Sequence, residues 1–160
     1  MTSREHLEKK INTVMVADDF IDKQYVASND DIRAIEDQLG FKIPESLKWF
    51  LKTYGSGGVN GSTVYGVGLL KRRYTIVNKT KEFITENNIS KHWMLLAEDE
   101  EGWVFVMDVD HADSRLCDAP VIAYNTFSQK EERLADSFYD FLDYHFGFSD
   151  LPEIKKETNL

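Results

Sequence analysis

The sequence contains a single cysteine, Cys117, so the chain cannot form an internal disulfide. A lone cysteine favours a reducing compartment, because small secreted domains usually rely on pairs of cysteines. The N-terminal segment lacks the apolar core and cleavage site of a secretory signal, and no apolar run reaches the roughly eighteen residues of a membrane-spanning helix. These absences predict a cytoplasmic protein that makes no membrane contact.

Basic residues are also fewer than acidic ones. The chain has 19 lysines and arginines against 28 aspartates and glutamates, which gives a formal net charge of −9 and a pI of about 4.9. Such a charge repels nucleic acid and anionic membranes, and it steers basic macromolecules toward the surface. The same acidity serves solubility in many proteins, so charge alone does not identify a partner.

The glycines that follow Gly55 do not form a nucleotide-binding motif. The segment lacks the Gly-Lys-Ser/Thr ending of a phosphate loop and follows a predicted helix, where the motif needs a preceding strand. We therefore expect neither a bound nucleotide nor another cofactor. The glycines instead turn the chain toward a short predicted strand at Val64, Tyr65 and Val67.

Two consecutive helix patterns dominate the N-terminal half. Ser28 or Asn29 can cap the first helix, and Gly40 can end it in a left-handed conformation. Pro44 can occupy the first position of the second helix, where its missing N–H is not needed, and Gly55 closes that helix. Apolar residues recur at helical spacing in both segments, namely Ile32, Ile35 and Leu39, then Leu47, Phe50, Leu51 and Tyr54. We therefore predict an angled pair of helices.

The remaining periodicities predict further helices and a sheet. Predicted helices lie at residues 4–16, 75–87 and 134–146, and predicted strands at residues 93–97, 103–107 and 121–124. Continuous apolarity in the first two strands indicates a sheet covered on both faces. The chain is thus predicted to be a single α+β domain, with a mostly antiparallel central sheet packed against the helical pair, a middle helix and a C-terminal helix. Its predicted parts are an N-terminal helix and connector at 1–26, the domain proper at 27–146 and a short tail at 147–160.

The helical pair carries a family-like pattern, Ile32-x-x-x-Glu36-x-x-Leu39-Gly40-x-x-Ile43-Pro44-Glu45-Ser46-x-x-x-Phe50-Leu51, followed by Tyr54-Gly55. It resembles the opening signature of the SUKH superfamily, with Ile43 where leucine is usual. The signature positions are Glu36, Leu39, Gly40, Pro44 and Gly55. The segment around Lys48-Trp49-Phe50-Leu51 is especially similar to the YobK type of antitoxin. With its later strand and helix motifs, the resemblance covers roughly residues 27–146.

The resemblance implies a function in binding proteins. The superfamily includes bacterial immunity proteins that neutralise secreted or contact-delivered toxins, and also Smi/Knr-type regulators of fungal cell-wall synthesis. The leading hypothesis is therefore a non-catalytic immunity protein that occludes the active site of a cognate toxin with a basic nuclease domain. The alternatives are a regulatory scaffold of the Smi/Knr type and a small metal-dependent enzyme.

Two acidic segments are the candidate partner-binding surfaces. One is the predicted hairpin turn with Glu98, Asp99, Glu100 and Glu101, and the other is the loop with Asp108, Asp110 and Asp113. Tyr65 and Trp103 are the aromatic residues expected to be exposed beside them and to supply binding energy. In an antiparallel pair the turn before a strand and the loop after it lie at opposite ends, so the segments form two separate patches.

Four residue sets invite a catalytic or metal-binding interpretation. Asp108 to Asp113 alternates oxygen ligands, but it lacks the glycine and glutamate of an EF-hand, so another kind of metal loop stays open and no metal is expected. Cys117 has no surrounding motif and is interpreted as a small buried residue. His145 is interpreted as a packed histidine. Glu36 lies on an inward helix face, so its carboxylate serves either as an acid or base, or as an acceptor for backbone amides near the Pro44 turn.

Overall fold

The computed structural model describes residues 2–16, 19, 25–67 and 75–149. Residues 150–160 of the predicted tail lie outside this range. The described helices are α1 (Arg4–Val14), α2 (Asn29–Leu39), α3 (Glu45–Thr53), α4 (Thr75–Asn87) and α5 (Phe138–His145). The described strands are β1 (Trp93–Glu98), β2 (Trp103–Asp108), β3 (Val121–Asn125) and β4 (Glu131–Ala135). The prediction of an α+β fold is confirmed.

The predicted helical pair is confirmed as α2 and α3. Ser28 caps α2 by accepting the Asp31 amide at 3.1 Å, and the Asp31 carboxylate accepts the Ser28 amide at 2.9 Å, which satisfies two otherwise unpaired donors. Gly40 ends α2 with φ of 81°, a left-handed conformation that favours glycine. Pro44 lies one position earlier than predicted, because its backbone is extended and it serves as the cap of α3.

The sheet is antiparallel throughout the described residues, in the order β1-β2-β3-β4. Helix α4 covers one face, where Phe83 packs with Trp93 and Tyr124. The opposite face packs against the main core, in which Phe105 contacts the ring of Phe141 on α5. Strands β1 and β2 are buried along nearly their whole length, so the prediction of a sheet covered on both faces is confirmed.

The helix predicted at residues 134–146 is wrong at its beginning. Leu134 and Ala135 belong to strand β4, and α5 begins only at Phe138, after Ser137 caps it by accepting the Asp140 amide. The sequence pattern did not predict strand β4, because β4 is an edge strand and most of its residues are charged. Asp143, which helical spacing places opposite the apolar residues of this segment, is 7% exposed and accepts a hydrogen bond from Lys10 of α1 at 2.7 Å.

The strand predicted near Val64 is also reduced in the structure. Residues 64–67 form one isolated bridge, between Val64 and Gly57, and the Tyr65 amide donates to the Leu96 carbonyl of β1 at 2.8 Å. The glycine-rich segment thus lies beside the sheet edge without extending it.

Helix α1 packs on the main core through Leu7 and Ile11, which are fully buried. Its Glu8 carboxylate accepts the indole N–H of Trp49 at 2.8 Å, which joins α1 to α3. Among the helices of the described residues, none combines the length and apolarity that a bilayer crossing needs.

Candidate functional site

The two acidic segments lie at opposite ends of the β1–β2 pair, as the sequence predicts. Trp93 pairs with Asp108 at one end, and Glu98 pairs with Val104 at the other. Because β2 spans six residues at about 3.3 Å each, roughly 17 Å separates these ends. A single small contact therefore cannot use both.

The loop around Asp113 is organised by its own carboxylate. The side chain of Asp113 accepts the backbone amides of Arg115, Cys117 and Asp118 at 2.9–3.1 Å. These bonds, chiefly the one from Cys117, lower the pKa of Asp113. The Asp113 carboxylate thus serves as an acceptor that holds the loop together. Within the described residues, no three histidine, cysteine, aspartate or glutamate side chains cluster so as to hold a metal ion.

The other carboxylates of this loop are bonded as well. Asp108 is 8% exposed, which corrects the expectation that it forms part of a binding surface, and it bonds the His111 ring at 2.7 Å. Asp110 is exposed but bonds both the ring and the amide of His92, at 2.9 and 3.1 Å. The surface that Asp108, Asp110 and Asp113 were predicted to form therefore consists largely of side chains that hold the loop together.

The same loop caps α3. Pro44 offers no side-chain cap, and the first amides of α3 donate instead to loop carbonyls, Glu45 to Leu116 and Ser46 to Cys117, each at 2.9 Å. These contacts satisfy donors that a helix N-terminus leaves unpaired. Cys117 is exposed, so the interpretation of this cysteine as a small buried residue is wrong.

Asp118 connects the loop to two helices. Its Oδ1 accepts the Ser46 hydroxyl of α3 at 2.8 Å, the Phe138 amide of α5 at 2.9 Å and the Ala119 amide at 2.8 Å. Burial raises the pKa of Asp118, although the bonds from Phe138 and Ser46 act in the opposite direction. The residue fixes the N-termini of α3 and α5 against each other.

The β1–β2 turn differs from the Asp113 loop, because some of its carboxylates make no bond to other described residues. Asp99 shapes the turn by accepting the amides of Glu101 and Trp103, and Glu98 accepts the Tyr65 hydroxyl at 2.8 Å. In the part of the chain that the structure describes, the exposed side chains of Glu100 and Glu101 have neither a hydrogen-bond nor an ion-pair partner. The hairpin therefore presents carboxylates that are available to a partner.

Two aromatic residues, Tyr65 and Trp103, were predicted to be exposed here. Neither has a fully exposed side chain. Trp103 is 6% exposed and packs in the main core, so its proposed role as a surface anchor is corrected. Tyr65 is half-buried, and Lys79 lies 5.4 Å above its ring. Burial and the hydrogen bond to Glu98 raise the pKa of Tyr65 well above its usual value.

The exposed aromatic residue at this end is Phe127, which sequence reasoning missed. Its side chain is 82% exposed, at the tip of the β3–β4 turn. The ring lies against the backbone of Gly102, since a Cβ at Gly102 would be 2.4 Å from it. One sequence feature could have revealed this residue. A single phenylalanine, which is unusual in a turn, stands within the otherwise polar run Asn125-Thr-Phe-Ser-Gln-Lys130.

A surface groove runs between α4 and the two hairpin turns. We call it the acidic groove. Its larger part has a volume of about 440 Å³ and is lined by Glu86, Asn87, Glu98, Asp99, Gly102 and Phe127, among others. A smaller adjoining depression adds Lys79 and Glu82. The groove thus combines an exposed aromatic ring with carboxylates from α4 and from the β1–β2 turn.

Two residues considered for catalysis have structural roles. Glu36 accepts the Ile43 amide at 2.9 Å, one residue before Pro44, and its Oε2 lies 3.9 Å from the Lys48 ammonium. The prediction that Glu36 binds amides near this turn is confirmed. His145 stacks on Phe141 and bonds the Thr63 carbonyl at 2.8 Å, which confirms that it is a packed histidine.

The sequence matches the model of a known protein family. Residues 26–144 of the 160 match the model described as the SMI1 / KNR4 family (SUKH-1). The match begins just before α2 and ends within α5, so it includes the helical pair, the whole described sheet and the acidic groove.

Proposed function

Because this chain belongs to the SMI1 / KNR4 family (SUKH-1), which includes immunity proteins, we propose that it is an immunity protein that binds and neutralises a cognate toxin. The family match over about three quarters of the chain is the observation that carries this proposal. In the proposed mechanism, the protein performs no chemistry. It acts in the cytoplasm by covering the active site of the toxin.

The charge of the protein supports a basic toxin, and we assign it a nuclease domain. A nuclease active site must attract phosphates, so its cleft is positively charged, whereas this chain carries a net charge of −9. Complementary charge speeds association and disfavours other partners, while a few well-placed side chains supply most of the affinity. The protein would then compete with nucleic acid for the toxin and would not itself bind nucleic acid.

A second candidate is a regulatory scaffold of the Smi/Knr type, which the same family match favours. Such a protein would bind its partner without inhibiting it. A metal-dependent enzyme is less well supported, because the carboxylates of Glu36 and Asp113 already have structural roles as acceptors of backbone amides.

Co-expression tests the proposal. The chain is expressed with the toxin-like open reading frame beside its gene, and both cell survival and co-purification are scored. We expect survival together with a stable complex. A complex without survival would favour the scaffold, and toxicity with neither rescue nor complex would refute the proposal for that toxin.

A further inference from the structure

We propose that the acidic groove is the docking site for an arginine-rich segment of the partner protein, with Phe127 as its central apolar anchor. The proposal rests on the function proposed above, and it names the surface and the chemistry that it recognises. Four features of the groove carry it: a rigid turn, an exposed ring, unpaired carboxylates and a concave shape.

The turn that presents Phe127 is held in place from both sides. The Asn125 side chain accepts the amides of Phe127 and Ser128 at 3.0 Å. The amide and hydroxyl of Thr126 both donate to the Gly102 carbonyl, at 2.9 and 3.1 Å, which joins this turn to the β1–β2 hairpin. Because the backbone of this turn is fixed, it loses little conformational freedom on binding, so more of the energy of burying the ring appears as affinity.

Exposed carboxylates lie along the acidic groove on α4 and on the hairpin turn beside it. Glu82 and Glu86 are exposed one turn apart on α4, and Glu100 and Glu101 are exposed on the hairpin. None of these four has a bonding partner among the described residues. Like charges one helical turn apart are mutually unfavourable in the free protein. A cationic partner would relieve this repulsion.

Arginine is the side chain that fits both features. Its planar guanidinium binds carboxylates through paired hydrogen bonds and stacks on aromatic rings, whereas the lysine ammonium acts as a point charge. The groove volume of about 440 Å³ lies within the range of roughly 300–1,000 Å³ found for ligand sites. It therefore has room for several side chains of one extended or helical segment.

The opposite end of the sheet does not offer this chemistry. There the carboxylates of Asp108 and Asp110 bond histidines, and that of Asp113 accepts three backbone amides. A basic segment that docked there would have to break the bonds that shape the loop. From the sequence alone, the two acidic segments are equally good candidates for the interface. The contacts in the structure favour the segment in the β1–β2 turn.

The first test uses hexa-arginine as the probe and the full chain with assigned amide resonances. We expect saturable shift changes centred on Phe127, Glu86 and Gly102 at low salt. Changes spread over all acidic residues, including Asp110 at the far end, would show attraction by net charge alone and would overturn the proposal.

The second test measures affinity for the purified toxin domain. Phe127→Ala should weaken binding about 30-fold, which corresponds to about 2 kcal/mol for burial of one phenylalanine side chain. Its control is Val16→Ala, because Val16 is also apolar, is 66% exposed and lies outside the groove. Glu86→Lys should weaken binding at least tenfold, mainly through the association rate. Its control is Asp37→Lys, which changes charge equally at an exposed position near the end of α2.

The outcomes separate the two proposals. If the toxin binds but all four variants bind like wild type, the groove assignment is wrong and the immunity function stands. If the toxin does not bind while hexa-arginine still localises to the groove, the toxin assignment fails and the groove chemistry stands. Melting curves verify that each variant is folded, which is expected because all four positions are exposed.

Discussion

Replacing Asp118 by alanine should destabilise the protein much more than replacing it by asparagine. The Asp118 carboxylate joins the N-termini of α3 and α5 through one oxygen, which accepts the Ser46 hydroxyl and the amides of Phe138 and Ala119. Alanine removes the acceptor. Phe138 and Ala119 are buried, so their amides would be left unpaired.

The expected loss follows from these two amides. Each buried donor without a partner costs about 1–3 kcal/mol, so Asp118→Ala should lower the free energy of unfolding by about 3 kcal/mol. Asparagine keeps the accepting oxygen, and the charge that it removes is one that burial disfavours, so Asp118→Asn should change the free energy of unfolding by less than about 1 kcal/mol. With a urea m-value of about 2 kcal/mol/M, alanine lowers the unfolding midpoint by about 1.5 M.

The asparagine variant should also change the pH dependence of stability. Burial raises the pKa of Asp118 in the folded state above its ordinary value of 3.8. The protonated form is therefore favoured by folding, and stability is lost as the pH rises from the unfolded pKa through the folded pKa. Asparagine cannot lose a proton, so the stability of Asp118→Asn relative to wild type should improve as the pH rises above about 4.

Urea titrations followed by tryptophan fluorescence measure these effects. The matched control is Asp136→Asn, since the Asp136 side chain is 78% exposed and the change removes the same charge. An alanine variant within about 0.5 kcal/mol of wild type would refute the structural role of Asp118. An asparagine variant as unstable as the alanine variant would also refute this role, because the retained oxygen would then contribute nothing to stability.

Three further predictions concern other contacts. Glu36→Ala should cost about 2 kcal/mol in urea unfolding because it leaves the buried Ile43 amide unpaired, whereas Glu36→Gln, which keeps an acceptor, should cost less. Gly102→Ala and Gly61→Ala should each cost about 1 kcal/mol in urea unfolding because both glycines have φ above 80°, and only at Gly102 should the new methyl group also displace the exposed Phe127 ring, so unchanged NMR shifts of that ring would contradict the contact. Cys117 should react with Ellman's reagent in the native protein as fast as in urea, and strong protection would contradict its exposure.

Local signals in the sequence were sufficient for the helical pair and the central strands. The cap at Ser28, the left-handed Gly40 and the apolar runs in β1 and β2 each depend on neighbours along the chain. The role of Glu36 was also predictable, because a carboxylate on an inward helix face requires a bonding partner and the Pro44 turn provides amides.

Features that depend on distant contacts were not predictable in this way. Strand β4 consists mostly of charged residues and exists because β3 pairs with it. The burial of Trp103 and the exposure of Phe127 are set by how the hairpins meet the core, and neither residue type reveals this. The two acidic segments have similar compositions, and only the amide bonds to Asp113 show which one is used internally.

The measurement that tests the central claim most directly is a titration of toxin activity. The purified toxin domain from the neighbouring gene is assayed on its nucleic-acid substrate while the purified protein is added in increasing amounts. Neutralisation by occlusion predicts a linear loss of activity that is complete at one equivalent, with no need for added metal or cofactor. A stable complex whose toxin remains fully active would contradict the account and identify the protein as a scaffold.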